Sequence, residues 1–149
     1  TTPTTPCAGM SFCVGCDVEV EACSLGATCA AFDPDGTYEV TADPVTATTC
    51  SYNPFMNPYQ PRTMTLHIDN DAAMATVVRA EATYAFSGLL VDRTVSLNTS
   101  YSDGNGTGTH GMTLEFTSPN TLVGTDTQIH DSGLGACEST WSVTARRIE

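Results

Sequence analysis

The chain has 149 residues, 40% of them apolar, and carries 5 basic side chains, all arginine, against 17 acidic ones for a net charge of −12. That balance argues against nucleic acid and anionic membranes as partners, because phosphate neutralisation needs clustered cations and only Arg146 and Arg147 adjoin. The length suits one folding unit with an appendage, and no apolar run approaches the roughly 20 residues of a membrane span, so membrane insertion is not expected.

Residues 1–6, Thr-Thr-Pro-Thr-Thr-Pro, predict an extended arm, since proline fixes its own φ and pushes the preceding residue toward β or polyproline geometry. Residues 7–32 are rich in small residues and cysteine, with too few large apolar groups for a core of their own. Cross-links are expected to hold them. From residue 33 to 149 the texture changes to short Thr/Val-rich stretches separated by Gly, Asn, Asp and Pro, which predicts an antiparallel β-domain.

The first strand, 37–44, follows the turn Asp33-Pro34-Asp35-Gly36 and sets Tyr38, Val40 and Ala42 against Thr37, Glu39 and Thr41. A proline-broken loop, 53–61, precedes a second strand at 62–69 with Met64, Leu66 and Ile68 on one face. Residues 73–80 and 82–90 alternate less cleanly, although Tyr84 and Phe86 share a face. Val95, Leu97 and Tyr101 mark the next strand, and the glycine-rich run 103–108 makes a hairpin loop before Met112, Leu114 and Phe116. Ser118-Pro119-Asn120 turns the chain into 121–130, and 137–147 closes the series with Trp141, Val143 and Ala145 on one side. The fold class is therefore all-β: about eight antiparallel strands in a meander forming a barrel or a sandwich, with a disulfide-rich N-terminal segment. The expected core is Tyr38, Val40, Met64, Leu66, Ile68, Phe86, Val95, Leu97, Leu114, Phe116, Trp141 and Val143.

Gly36-Thr37-Tyr38 opening the first strand, Cys50 and Cys137 placed as a staple, and Arg146-Arg147 ending the last strand resemble the plan of lipocalin-like, calycin-type secreted barrels over residues 36–147. In those proteins a Gly-x-Trp packs beneath an arginine at the end of the barrel. Here tyrosine replaces the tryptophan, the mid-barrel Thr-Asp-Tyr signature is missing, and no helical pattern follows the last strand. The resemblance implies a closed barrel and a small apolar ligand. It also fits the pairing of Cys50 with Cys137, each near a strand end, where a bridge would constrain a long loop.

Seven cysteines, Cys7, Cys13, Cys16, Cys23, Cys29, Cys50 and Cys137, point to disulfides and hence to an extracellular, cell-surface or periplasmic location. Two bridges are expected within Cys7–Cys29, and the odd thiol is a candidate for an intermolecular bond. Cys13-Val14-Gly15-Cys16 has the redox C-x-x-C spacing, but no helix-forming sequence follows to lower a thiol pKa, so it reads as structural. His67 falls on a polar strand face. His110 is in phase with Met112 and Leu114 but adjoins the glycine-rich loop, where it could meet solvent; a copper site from His110, Met112 and Met64 is weaker than core methionines. Asp33 with Asp35, and Asp69 with Asp71, read as turn formers before calcium ligands. Asn98 and Asn105 open N-x-[ST] sequons. With no Gly-x-Ser-x-Gly elbow or phosphate loop, no enzyme, metal or cofactor is expected. The leading expectation is a secreted, non-enzymatic structural subunit of an extracellular or cell-surface assembly, even a filament, whose copies join through the N-terminal arm, laid on a neighbour's sheet edge, and the cysteine-rich segment. A lipocalin-like module binding a small apolar ligand or a metal ion is the alternative.

Overall fold

The computed structural model describes residues 11–14, 28–31, 33–43, 47–50, 59–80, 82–104 and 106–149. Two compact units are present, 1–34 and 35–149. In the first, β1 (Ser11–Val14) and β2 (Thr28–Ala31) pair antiparallel with residue 13 opposite residue 29. The arm 1–6, Cys7, Cys16 and Cys23, the side chains of Cys13 and Cys29, and Asn105 lie outside the described residues, and with them the expected N-terminal bridges and arm contacts.

Period-two alternation builds the second unit. Its strands are β3 (Gly36–Ala42), β4 (Ala47–Thr48), β5 (Arg62–Asp69), β6 (Ala72–Arg79), β7 (Ala82–Val91), β8 (Thr94–Asp103), β9 (Gly106–Ser118), β10 (Thr121–Asp131) and β11 (Ala136–Arg147). From β5 onward each strand pairs antiparallel with the next, β3 pairs with β5, and β11 returns to β3 through Arg147↔Tyr38 to Val143↔Ala42. The result is an eight-stranded antiparallel closed barrel; the two-residue β4 continues along β11 beyond β3. Closure resolves the choice between barrel and sandwich, because β3 and β11 would otherwise be free edges.

Every expected core residue is buried except Ile68, which is half-buried one residue before the β5–β6 turn. The core also takes Val77, Leu90, Met112, Leu122 and Ala145. One end of the barrel is sealed. There Arg147 lies with its guanidinium carbon 5.2 Å from the Tyr38 ring centre, donates from Nη2 to the Tyr38 hydroxyl at 2.8 Å, and donates from Nη1 to the Asp35 carbonyl at 2.9 Å. A side chain at Gly36 would put its Cβ 3.0 Å from Arg147 Nη1 and 2.9 Å from the Glu149 carbonyl, so glycine is what lets the arginine close over the strand.

At the other end lie Asp43, Tyr59 and Gln60, the paired ends of β6 with β7 and of β8 with β9, the β10–β11 link, and the bridge Cys50–Cys137, which pairs as expected across 87 positions of chain. The wall also parts there. β7 and β8 pair from Ser87↔Asn98 to Val91↔Thr94. Residues 82–86 of β7 stay on β6 and residues 99–103 of β8 stay on β9, with no ladder between the two stretches.

The links after β5, β6 and β7 begin with Asn70, Ala80 and Asp92, at φ of 54°, 50° and 54°. Asn and Asp visit this left-handed region readily, whereas for alanine it costs about 1–2 kcal/mol. Ala80→Asn or Ala80→Gly should therefore raise stability in urea unfolding by about 0.5–1 kcal/mol. A loss of stability in both variants would contradict the strained turn.

Candidate functional site

The strand phases decide what faces inward. Below the middle of the barrel the inner rows are apolar: Tyr38 and Val40, Met64 and Leu66, Val95 and Leu97, Leu114 and Phe116, Leu122, Val143 and Ala145 are all buried. Toward the parted end the same rows turn polar. Arg62 begins β5, Arg79 ends β6, Tyr84 precedes Phe86 on β7, His110 precedes Met112 on β9, and Asp126 and Gln128 follow Leu122 on β10.

Asp126 is fully buried and is the centre of this polar layer. Its Oδ2 accepts from the Tyr59 hydroxyl at 2.6 Å and from Arg62 Nη1 at 3.2 Å, while Oδ1 accepts from His110 Nε2. An ionised carboxylate can only accept, so His110 carries its proton on Nε2 in this bond. The partners are held in turn: Arg62 stacks with its guanidinium carbon 3.9 Å from the Tyr59 ring centre, and its Nε donates to the Gln60 carbonyl at 3.4 Å. Tyr59 meets Trp141 edge-on at 5.7 Å, and the His110 ring meets Phe86 edge-on at 4.8 Å and Tyr84 at 6.5 Å.

Burial alone would push the Asp126 carboxyl up, but the hydrogen bond and charge of His110, followed by Arg62 and Tyr59, hold it below the usual carboxylate range. Burial, followed by the Asp126 charge, pushes the Tyr59 phenol far above its ordinary value. Burial likewise lowers the Arg62 guanidinium, with the neighbouring Tyr59 and Asp126 opposing that effect. Three ionisable side chains and a phenol thus form one interlocked group in an interior that apolar residues could have filled.

Nearer the rim, Tyr101 and His130 stack with ring centres 6.0 Å apart and planes 12° apart, and the Tyr101 hydroxyl lies 3.0 Å from His130 Nδ1. Gly108 is opposite both residues in the sheet, and a Cβ there would fall 2.4 Å from the tyrosine ring. Glycine at 108 makes room for the pair. A shallow recess of about 620 Å³ lies on the rim beside them, lined by Ser100, Tyr101, Ser102, Thr107, Thr109 and Ile129 among others, and none of the Asp126 group lines it.

The structure corrects the expectation that His110 could meet solvent at the hairpin loop: it is buried against Asp126. Met112 and Met64 are core side chains, and among the described residues no three His, Cys, Asp or Glu groups are gathered to hold a metal. His67 is exposed and pairs through Nδ1 with Asp35 Oδ2 at 2.5 Å, while Asp35 Oδ1 accepts the Ile68 amide at 2.7 Å. Asp33 is exposed. Asp69 accepts from Asn70 at 3.1 Å across its turn, which continues through Asp71. Asn98 is exposed on the outer row of β8.

Sequence reasoning missed Asp126, Arg62 and Tyr59. Counting in twos from Leu122 sets Asp126 on the inner face, and counting back from Met64 does the same for Arg62; Tyr59, inside a proline-broken loop, offers no such signal. No protein-family model matches the chain, and no curated protein or solved structure matches it at a significant level.

Proposed function

We propose that the chain is a secreted, lipocalin-like, non-enzymatic binding barrel whose small-molecule ligand sits in the polar and aromatic end, against the group centred on Asp126. The observation that carries this reading is the buried group itself. Breaking even with apolar packing is the best that buried ion pairs usually achieve, so a barrel needed only as a scaffold gains little from Asp126, Arg62 and His110 inside it. Pockets that bind small molecules combine aromatic walls with a few fixed polar groups, as Trp141, Phe86 and Tyr84 do with His110 and Arg62. The lipocalin likeness is supported by the eight-stranded meander closed by β3 and β11 and by Arg147 lying over Gly36 and Tyr38. The Cys50–Cys137 bridge supports an oxidising compartment.

A self-associating structural subunit is the second reading. Closure removes most of the sheet edge on which an arm could lie, but the unladdered stretches 82–86 and 99–103 remain, and an extended segment from another copy could add a strand there. Native mass spectrometry of protein purified from its source, with sedimentation, separates the two. Binding predicts a monomer that carries one small molecule. Multimers without a bound molecule would transfer the proposal to assembly.

A further inference from the structure

Resting on the binding reading, we propose that the ligand is a small organic anion with an aromatic or apolar body, and that Arg79 recognises its charge. Arg79 continues the inner row of β6 after Ala73, Ala75 and Val77, all of them buried, and is itself half-buried at the parted end. Its guanidinium carbon lies 5.9 Å from the Tyr84 ring centre, and Tyr84 in turn faces His110. Among the described residues Arg79 makes no hydrogen bond or ion pair, so its donors are available to a ligand.

The other inward-facing arginines are committed, Arg62 to Asp126 and Arg147 to Tyr38 and the Asp35 carbonyl. Asp126 is the buried carboxylate of this end, and Arg62 and His110 already hold it. Among the described residues the parted end thus has two inward-facing guanidinium groups and one buried carboxylate, in a chain whose net charge is −12. The two are close enough to influence one another: Arg62 is lowered first by burial, and the Arg79 charge adds to that. An anion supplies the missing negative charge, with Tyr84 and Phe86 as walls for its body. Tyr84 lies on the stretch of β7, 82–86, that has no ladder to β8.

The test uses two matched fluorescent probes, 8-anilinonaphthalene-1-sulfonate and its neutral parent N-phenyl-1-naphthylamine, titrated into the full chain and into Arg79→Met and Arg79→Lys, each checked by thermal unfolding. The wild-type chain should bind the sulfonate about tenfold more tightly than the neutral probe, the size of one charge-assisted contact. Arg79→Met should remove that preference, bringing the ratio of the two affinities to about one, and Arg79→Lys should restore part of it. Leu89→Glu, on the exposed outer face of β7, should alter neither titration. Equal affinities in the wild type, or an unchanged preference in Arg79→Met, would overturn the role of Arg79 and leave the binding reading standing. Failure of both probes to bind the wild type would overturn the binding reading itself.

Discussion

Asp126→Ala should destabilise the barrel by about 3–5 kcal/mol, because it strands the Arg62 guanidinium, His110 Nε2 and the Tyr59 hydroxyl in a buried layer built around one carboxylate. Asp126→Asn, which keeps an acceptor but not the charge, should fall between that variant and the wild type. The pH dependence follows from the direction of the shift. The unfolded carboxyl titrates near 3.9, and the folded one lies lower because His110, Arg62 and Tyr59 more than offset its burial. Its stabilising contribution is therefore fully present above the unfolded value and is lost as pH falls through the folded value. Urea midpoints taken from pH 7 down to pH 2 should drop more steeply below about pH 4 for the wild type than for Asp126→Asn. Parallel curves would show that Asp126 is not held in its charged form.

The second large effect is that of the covalent bridge. Cys50→Ser with Cys137→Ser should cost about 4–5 kcal/mol, since the 87-residue separation makes the released loop one of the longer ones that a disulfide can close. Either single substitution should cost nearly as much, and with reductant present the wild type and the double variant should unfold at the same midpoint. Equal midpoints for wild type and double variant in urea without reductant would mean that the strand contacts of β11 with β3 and β10 hold this end without the bridge.

The barrel was largely legible in the sequence because strand alternation is a local signal. Tyr38-Glu39-Val40 and Met64-Thr65-Leu66 announce an inner and an outer face without help from the rest of the chain, and the turn residues between strands set the meander. Closure was not local: it depends on Arg147 reaching Tyr38 and Val143 reaching Ala42 from the far end of the chain. The polar layer was hidden for a different reason. Reading apolar alternation as core makes a charged residue on the inner row look like a strand end or a loop, so Arg62 marked the edge of β5 and Asp126 disappeared among the threonines of β10. Extending each row by parity past its last apolar member would have put both inside, with His110. Their meeting is a property of the closed barrel, since β5, β9 and β10 come together across its interior.

The most direct test of ligand binding at the Asp126 group is an NMR titration of protein carrying ¹⁵N-labelled histidine rings, with 8-anilinonaphthalene-1-sulfonate added in steps. The three histidines report three places: His110 in the buried group, His130 stacked at the rim, and His67 on the exposed face beside Asp35. The His110 ring resonances should shift progressively to saturation while those of His67 stay in place. Shifts at His67 with His110 unmoved would place the probe on the outer surface and contradict a ligand site inside the barrel.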